Sequence, residues 1–186
     1  DYNKAKEYYE RAIELGNSNA ICNLGFLYDK GKGVKQDYNK AKEYYERAIE
    51  LGNSNAICNL GFLYDKGKGV KQDYNKAKEY YERAIELGNS DAMVNLGALY
   101  ANGQGVKQDY NKAKEYYERA AELGNSKAMF SLGNHYKEGQ GVEQDYNKAK
   151  EYYERAIELG DSNAMVNLGI LYKNGIGVKQ DYNKAK

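Results

Sequence analysis

The chain is 186 residues long, contains neither proline nor tryptophan, and balances 28 basic against 27 acidic residues for a formal net charge of +1. The opposite charges are interspersed, so the basic stripe that neutralises nucleic-acid phosphates is missing and nucleic acid is not an expected partner. No apolar run approaches the roughly 20 residues needed to cross a bilayer, and no signal-peptide pattern opens the sequence, which predicts a soluble protein of unassigned compartment with no membrane partner.

Residues 1–36 recur unchanged at 37–72 and with substitutions at 73–108, 109–144 and 145–180, followed by a partial copy at 181–186. A unit of this size cannot bury its own apolar face, so the period predicts a single repeat array over 1–186 in which each unit leans on its neighbours. Ala, Glu, Lys, Tyr and Leu dominate and glycine is the only punctuation, which makes the fold class all-α.

In the first unit Tyr2, Ala5, Tyr8, Tyr9, Ala12 and Ile13 fall at helical spacing, with Lys4, Lys6, Glu7, Glu10, Arg11 and Glu14 opposite. This predicts an amphipathic helix of about four turns. Asp1 is placed to cap its start and Gly16 to end it in the left-handed conformation. Glu7 and Arg11 form an i,i+4 pair on the charged face, a solvating feature rather than a site. Ser18 is the expected N-cap of a second, shorter helix carrying Ala20, Ile21, Leu24, Leu27 and Tyr28. Gly25 sits inside it and recurs in all five units; glycine there costs about 1 kcal/mol relative to alanine, so its recurrence predicts a close helix crossing. Gly31–Val34 then turns the chain back, since Gly-x-Gly-Val before Lys-Gln-Asp lacks the spacing and the Lys-Ser/Thr of a phosphate-binding loop. The 21 tyrosines recur on the packing stripes and are expected in the core with their hydroxyls at its edge.

Cys22 and Cys58 hold the same position in adjacent units, on the order of 10 Å apart and beyond disulfide reach, so they read as small apolar helix residues with unbridged thiols. His135 replaces a leucine of the core stripe and has neither a ligand pattern nor a nucleophile beside it. It reads as a packed, hydrogen-bonded histidine rather than a ligand or general base. No catalytic residue, metal site or cofactor is expected.

Ala20, Asn23-Leu24-Gly25, Leu27-Tyr28, Gly31-Lys32-Gly33-Val34, Asp37-Tyr38, Lys40-Ala41 and Tyr44-Tyr45-Glu46-Arg47-Ala48 through Gly52 resemble the Sel1-like repeat family, relatives of the tetratricopeptide repeats, and the match covers essentially the whole chain. The resemblance implies antiparallel hairpins of helix A (about residues 19–30) and helix B (about 38–51), stacked into a right-handed α/α superhelix with helix A lining the concave side. It also implies a non-enzymatic scaffold that binds a peptide or protein segment and assembles complexes. Cysteine-rich members, which carry a disulfide in each repeat, have been associated with β-lactam hydrolysis; this chain lacks the paired cysteines.

Of the substitutions that distinguish the third, fourth and fifth units from the first, only Ala121 falls within the sixteen positions of helix B and its cap. Change concentrates on helix A and its loops, as diversification of one surface on a fixed scaffold predicts. Cys22, Phe26 and Asp29 align on one stripe with their equivalents. The candidate groove therefore comprises Asn23, Phe26 and Asp29; Asn59, Phe62 and Asp65; and Val94, Asn95 and Ala98. The fourth and fifth units add Lys127, Phe130, Asn134 and Lys137, then Val166, Asn167, Ile170 and Lys173. An asparagine amide both donates to and accepts from a peptide backbone. Tetratricopeptide-like grooves use an asparagine at this position; local capping or solvation is the alternative. A second functional reading is head-to-tail assembly of a homo-oligomer through uncapped ends, Tyr2, Tyr8 and Tyr9 of one molecule meeting Ile170, Leu171 and Tyr172 of the next. Two identical units suggest either a synthetic repeat protein or a fragment of a longer natural array.

Overall fold

The computed structural model describes residues 1–177, and the partial helix expected from Asp181 lies outside them. Ten helices occur among the described residues, with no strand: α1 (Tyr2–Glu14), α2 (Ser18–Lys30), α3 (Tyr38–Glu50), α4 (Ser54–Lys66), α5 (Tyr74–Glu86), α6 (Ser90–Asn102), α7 (Tyr110–Glu122), α8 (Ser126–Glu138), α9 (Tyr146–Glu158) and α10 (Ser162–Asn174). Odd-numbered helices carry the helix B sequence and even-numbered ones helix A. This is the all-α solenoid architecture that the period predicts.

The helix boundaries follow from local chemistry. Asp37 is extended, and its Oδ1 accepts from the backbone N–H of Asn39 at 3.1 Å and Lys40 at 3.0 Å, satisfying two of the orphan donors of the first turn of α3. Asp1 does the same for α1. The cap of α2 is Asn17 rather than Ser18. Asn17 is the extended residue whose Oδ1 reaches the Ala20 N–H at 3.0 Å, and Ser18 already belongs to the first turn. Gly31 ends α2 at φ 64°, a left-handed conformation that glycine adopts without a Cβ penalty. The turn is then closed by Gln36, whose side-chain amide donates to the Asp29 carbonyl at 2.7 Å; Gln72, Gln108 and Gln144 repeat this bond.

The chain divides into two compact units, Asp1–Ala92 and the residues from Met93 onward. In the first, α3 packs against both α2 and α4, and α4 against α5. Ile21, Cys22, Ala41, Tyr45, Ala48, Ala56, Leu60 and Leu63 form one buried cluster there. Each large side chain so buried contributes about 1.5–3 kcal/mol relative to exposure. Gly25 permits the close crossing: a Cβ at this position would lie 2.9 Å from Cε1 of Tyr45, whose ring is fully buried. In the second unit α8 packs against α7 and α9, and α9 against α10. On the far side of each hairpin a tyrosine pair stacks face to face, as in Tyr28 with Tyr44 at 5.6 Å and Tyr136 with Tyr152 at 5.6 Å.

Two expectations change. The i,i+4 ion pair on helix B is Lys6–Glu10, repeated at Lys42–Glu46, rather than Glu7–Arg11. At the equivalent position Arg47 lies over the Tyr44 ring instead, 5.6 Å from its centroid. The tyrosines also divide by position. The Tyr45 hydroxyl does not reach the edge of the core; it is buried without a hydrogen-bond partner. Tyr2 and Tyr8 of α1, by contrast, are exposed. Helices α1 and α3 have the same sequence, yet α1 has no buried residue whereas α3 buries Ala41, Tyr45 and Ala48. Neighbours on both sides, not the amphipathic pattern alone, complete the burial.

Candidate functional site

In the unit Asp1–Ala92 the helix A face is formed by α2 and α4. The two are tied at their starts by Asn53, which caps its own helix through the Ala56 N–H at 3.0 Å and donates to Asn19 Oδ1 at 2.8 Å and Ser18 Oγ at 3.3 Å. Asn89 repeats the tie to Asn55 at 2.8 Å. On the face itself Phe26 and Asn23 are exposed, and Phe62 and Asn59 are half-buried. Asn59 donates to Cys22 Sγ at 3.6 Å, so its amide nitrogen is engaged with the neighbouring repeat rather than with local backbone.

Asp29 and Asp65 sit differently from the exposed groove positions expected of them. They are only 3% and 5% exposed. The Oδ2 atoms pair with Lys30 at 2.6 Å and Lys66 at 3.0 Å, while each Oδ1 is buried without a partner. Below them stand the tyrosines of helix B: the Tyr81 hydroxyl donates to Asp65 Oδ2 at 3.4 Å. Burial, with Asp29 and Asp65 adding to it, drives the Tyr45 and Tyr81 hydroxyls far above the usual tyrosine range, so both stay protonated. Cys22 and Cys58 are buried and not disulfide-bonded, and burial pushes the Cys22 thiol up to about 11 against the opposing Asn59 bond. A thiol so shifted is a packing group, not a nucleophile.

In the second unit α8 presents a more polar face, joined by side-chain hydrogen bonds to α10. Asn134 Oδ1 accepts from the Tyr153 hydroxyl at 2.7 Å and from Asn167 Nδ2 at 2.8 Å, and Asn167 also reaches the Tyr153 oxygen at 3.3 Å. Phe130 is half-buried against Tyr153, with centroids 6.0 Å apart. Lys137 pairs with Glu138 at 3.0 Å, and Ser131 donates to the Lys127 carbonyl at 2.9 Å. Lys127, Val166, Ile170 and Lys173 are exposed, and Val94, Asn95 and Ala98 on α6 are half-buried. Among the residues singled out for end-to-end contact, Tyr2, Tyr8 and Ile170 are exposed and Tyr9 and Tyr172 half-buried. Leu171 is 1% exposed, because it occupies the core column of Leu63 and Leu99.

His135 is packed, as its place in the leucine column requires, between the edges of Tyr110 at 5.8 Å and Tyr117 at 5.3 Å. Its Nδ1 makes no hydrogen bond, whereas the Gln140 backbone bonds to the ring, so one of its two nitrogens is left without a partner. Burial lowers its pKa, with the Gln140 backbone acting weakly in the other direction, and the ring is neutral near pH 7. Among the described residues no three His, Cys, Asp or Glu side chains are grouped to hold a metal ion, and no helix is long and apolar enough to cross a membrane.

A Sel1 repeat model matches residues 1–17, 18–53, 54–89, 90–125, 126–161 and 162–186, so each full repeat in that register runs from helix A to helix B. Among solved structures the chain is similar to a Sel1 repeat protein from Oxalobacter formigenes, at 38% identity over 100% of this chain and 76% of that one, with a TM-score of 0.85. It is similar to c5321, a protective antigen of uropathogenic Escherichia coli strains displaying an SLR fold, at 36% identity over 100% of this chain and 40% of that one, TM-score 0.76. It also resembles the Helicobacter pylori cysteine rich protein B, at 31% identity over 72% of this chain and 96% of that one, TM-score 0.55. No curated protein matches the sequence. With helix A and helix B alternating through the described residues and the repeat model covering the chain from end to end, the protein belongs to the Sel1 repeat family, whose members generally mediate protein–protein interactions.

Proposed function

We propose that the chain is a non-enzymatic scaffold that binds a peptide or protein segment on the helix A faces of its repeats. The observation that carries this reading is the placement of the variable residues. Substitution touches helix B only at Ala121 and gathers on helix A and its loops; on helix A, Phe26, Val166 and Ile170 hold apolar side chains at the solvent. Apolar anchors in a fixed frame supply affinity, and nearby amides and lysines supply orientation. Asn59 and Asn167 act in this scheme through the carbonyl oxygens that their cross-repeat bonds leave available. Fluorescence anisotropy with a panel of labelled peptides tests it: binding is expected, and Phe26→Ala/Phe62→Ala or Asn59→Ala/Asn95→Ala should weaken it. No binding across the panel, or binding indifferent to both double variants, would overturn the reading.

A second reading, self-association, rests on one observation. Met165 is 51% and Val166 63% exposed on α10, whereas Met129 and Cys58 in the same columns are 5% and 4% exposed. Together with Tyr2 and Tyr8 these are apolar surfaces that another copy could cover. Light scattering across a hundredfold concentration range decides it: mass growing in steps of 21.1 kDa supports association, and a constant mass removes it.

A further inference from the structure

The first two repeats carry a row of alternating rings and ammonium groups that the later repeats lack. Lys30 Nζ lies 5.4 Å from the centroid of Phe26 and 5.4 Å from that of Phe62, so one ammonium joins the rings of consecutive repeats. Lys32 sits over Tyr2 at 5.4 Å and Phe26 at 5.7 Å. Lys68 sits over Tyr38 at 5.5 Å and Phe62 at 5.3 Å, with Lys66 at 5.8 Å from Phe62. All of these residues lie within the unit Asp1–Ala92. The neighbouring carboxylates, Asp29 and Asp65, are buried and neutralise only Lys30 and Lys66. Lys32 and Lys68 enter no ion pair among the described residues, so the row presents unbalanced positive charge. Further along the chain the Lys32 column becomes Gln104, Gln140 and Ile176, and the Phe26 column Ala98, Asn134 and Ile170. The row is therefore a feature of this unit and not of the repeat as such.

We infer that this row is the docking site of an acidic segment, one in which Asp or Glu side chains flank apolar ones on a single face. The inference rests on the helix A reading above and adds the chemistry of the partner. Exposed ion pairs are weak in part because two long side chains lose their freedom on pairing. Here the lysines already lie on rings, held by cation–π attraction, so less freedom remains to be lost when a carboxylate arrives. The exposed part of the Phe26 ring and the half-buried Phe62 offer apolar contact between the charges. Both rings lie within 5.4 Å of one Nζ, and an extended segment advances ~3.3 Å per residue. Side chains two residues apart, about 7 Å, share one face of an extended segment, so two apolar ones so spaced reach both rings while carboxylates two residues further out on that face reach Lys32 and Lys68. Single-stranded nucleic acid also favours rings beside cations, but it requires a basic track that follows its backbone, and this row is short and backed by buried carboxylates.

Anisotropy titrations of the whole chain with a labelled peptide carrying Glu, Leu, Leu and Glu on one extended face with Ser between them, its Gln-for-Glu counterpart and a single-stranded oligothymidylate, each at low and high salt, test the assignment. The Glu peptide is expected to bind at least about tenfold more tightly than the other two and to weaken with salt. Lys32→Gln/Lys68→Gln should weaken it by about tenfold while leaving the Gln peptide and the circular dichroism spectrum unchanged. Equal binding of both peptides, lost in Phe26→Ala/Phe62→Ala, overturns the acidic assignment and leaves the helix A reading standing. Preference for the oligonucleotide, or indifference of the Glu peptide to Lys32→Gln/Lys68→Gln, also overturns it. Absence of binding by either peptide counts against both.

Discussion

Gly133 lies inside α8, where alanine is ordinarily favoured over glycine by about 1 kcal/mol. The structure reverses that expectation. A Cβ added there would stand 2.5 Å from Cε1 and 2.6 Å from Cδ1 of Tyr153, whose ring is fully buried, so the ring must retreat by close to an ångström to reach ordinary contact. Forcing extra volume into a filled core costs about 1–3 kcal/mol. The movement also strains the Tyr153 bonds to Asn134 and Asn167, each contributing about 1 kcal/mol. Set against the propensity gain, Gly133→Ala should destabilise by about 2–3 kcal/mol. Gly61→Ala should cost less, because its Cβ meets Tyr81 Cε1 at 2.9 Å. Urea unfolding followed by circular dichroism measures the loss, and hydrogen exchange of α8 and α9 amides localises it. In a Tyr153→Leu background, which removes the ring, Gly133→Ala should become neutral or stabilising. A Gly133→Ala protein as stable as its parent would refute the claim that helix A glycine exists to admit the helix B ring.

Three further outcomes follow from buried polar groups. His135 has a lowered pKa in the fold, so below about pH 6.5 the unfolded chain takes up a proton that the buried ring refuses, and stability falls as pH drops through that window by up to about 1.4 kcal/mol per pH unit. His135→Leu should raise stability and flatten this slope in acid-titrated urea curves. Tyr45→Phe should leave thermal stability unchanged or higher, because the hydroxyl it removes is buried without a partner, whereas Tyr153→Phe should cost about 1–2 kcal/mol by removing the hydroxyl's bonds to Asn134 and Asn167. Alkylation of Cys22, read by mass spectrometry at pH 8, should run about a hundredfold slower than in urea, since burial holds the thiol near 11 against 9.0 for an unperturbed one.

The fold was legible because every level of the sequence repeats the same message. The Tyr9 column, the Gly25 column and the Asp1 caps recur with each unit, and each performs the job its chemistry suggests. What the pattern left open was whatever depends on the adjacent repeat. Asp29 reads as a surface residue by its type and its place on the variable stripe, but Lys30 and the turn closed by Gln36 enclose it. Asn17 and Ser18 are both sound caps by propensity, and only the extended backbone at Asn17 selects between them. The cross-repeat ties of Asn53 and Asn89, and the bridging of two phenylalanines by Lys30, leave no signal in a single unit. Comparing the columns for which polar residues change together, as Lys30 and Lys32 do with Phe26, is the one sequence operation that points to the last of these.

The same neighbour dependence explains why variation gathers on helix A. A helix B tyrosine such as Tyr81 or Tyr153 is enclosed by the glycine column and by polar side chains of helix A, so a change in its size meets backbone. A helix A face residue meets chiefly the helix A of the adjacent repeat: Asn59 with Cys22, Lys30 with Phe62, Asn167 with Asn134. Substituting along such a column exchanges one side-chain contact for another without disturbing the hairpin beneath. Changes therefore couple chiefly along the face, and a set such as Phe62, Lys66 and Lys68 is the natural unit of exchange. A face that is replaced column by column while its frame stays fixed is what a binding scaffold requires, and it places selectivity in the combination of adjacent repeats rather than in any one of them.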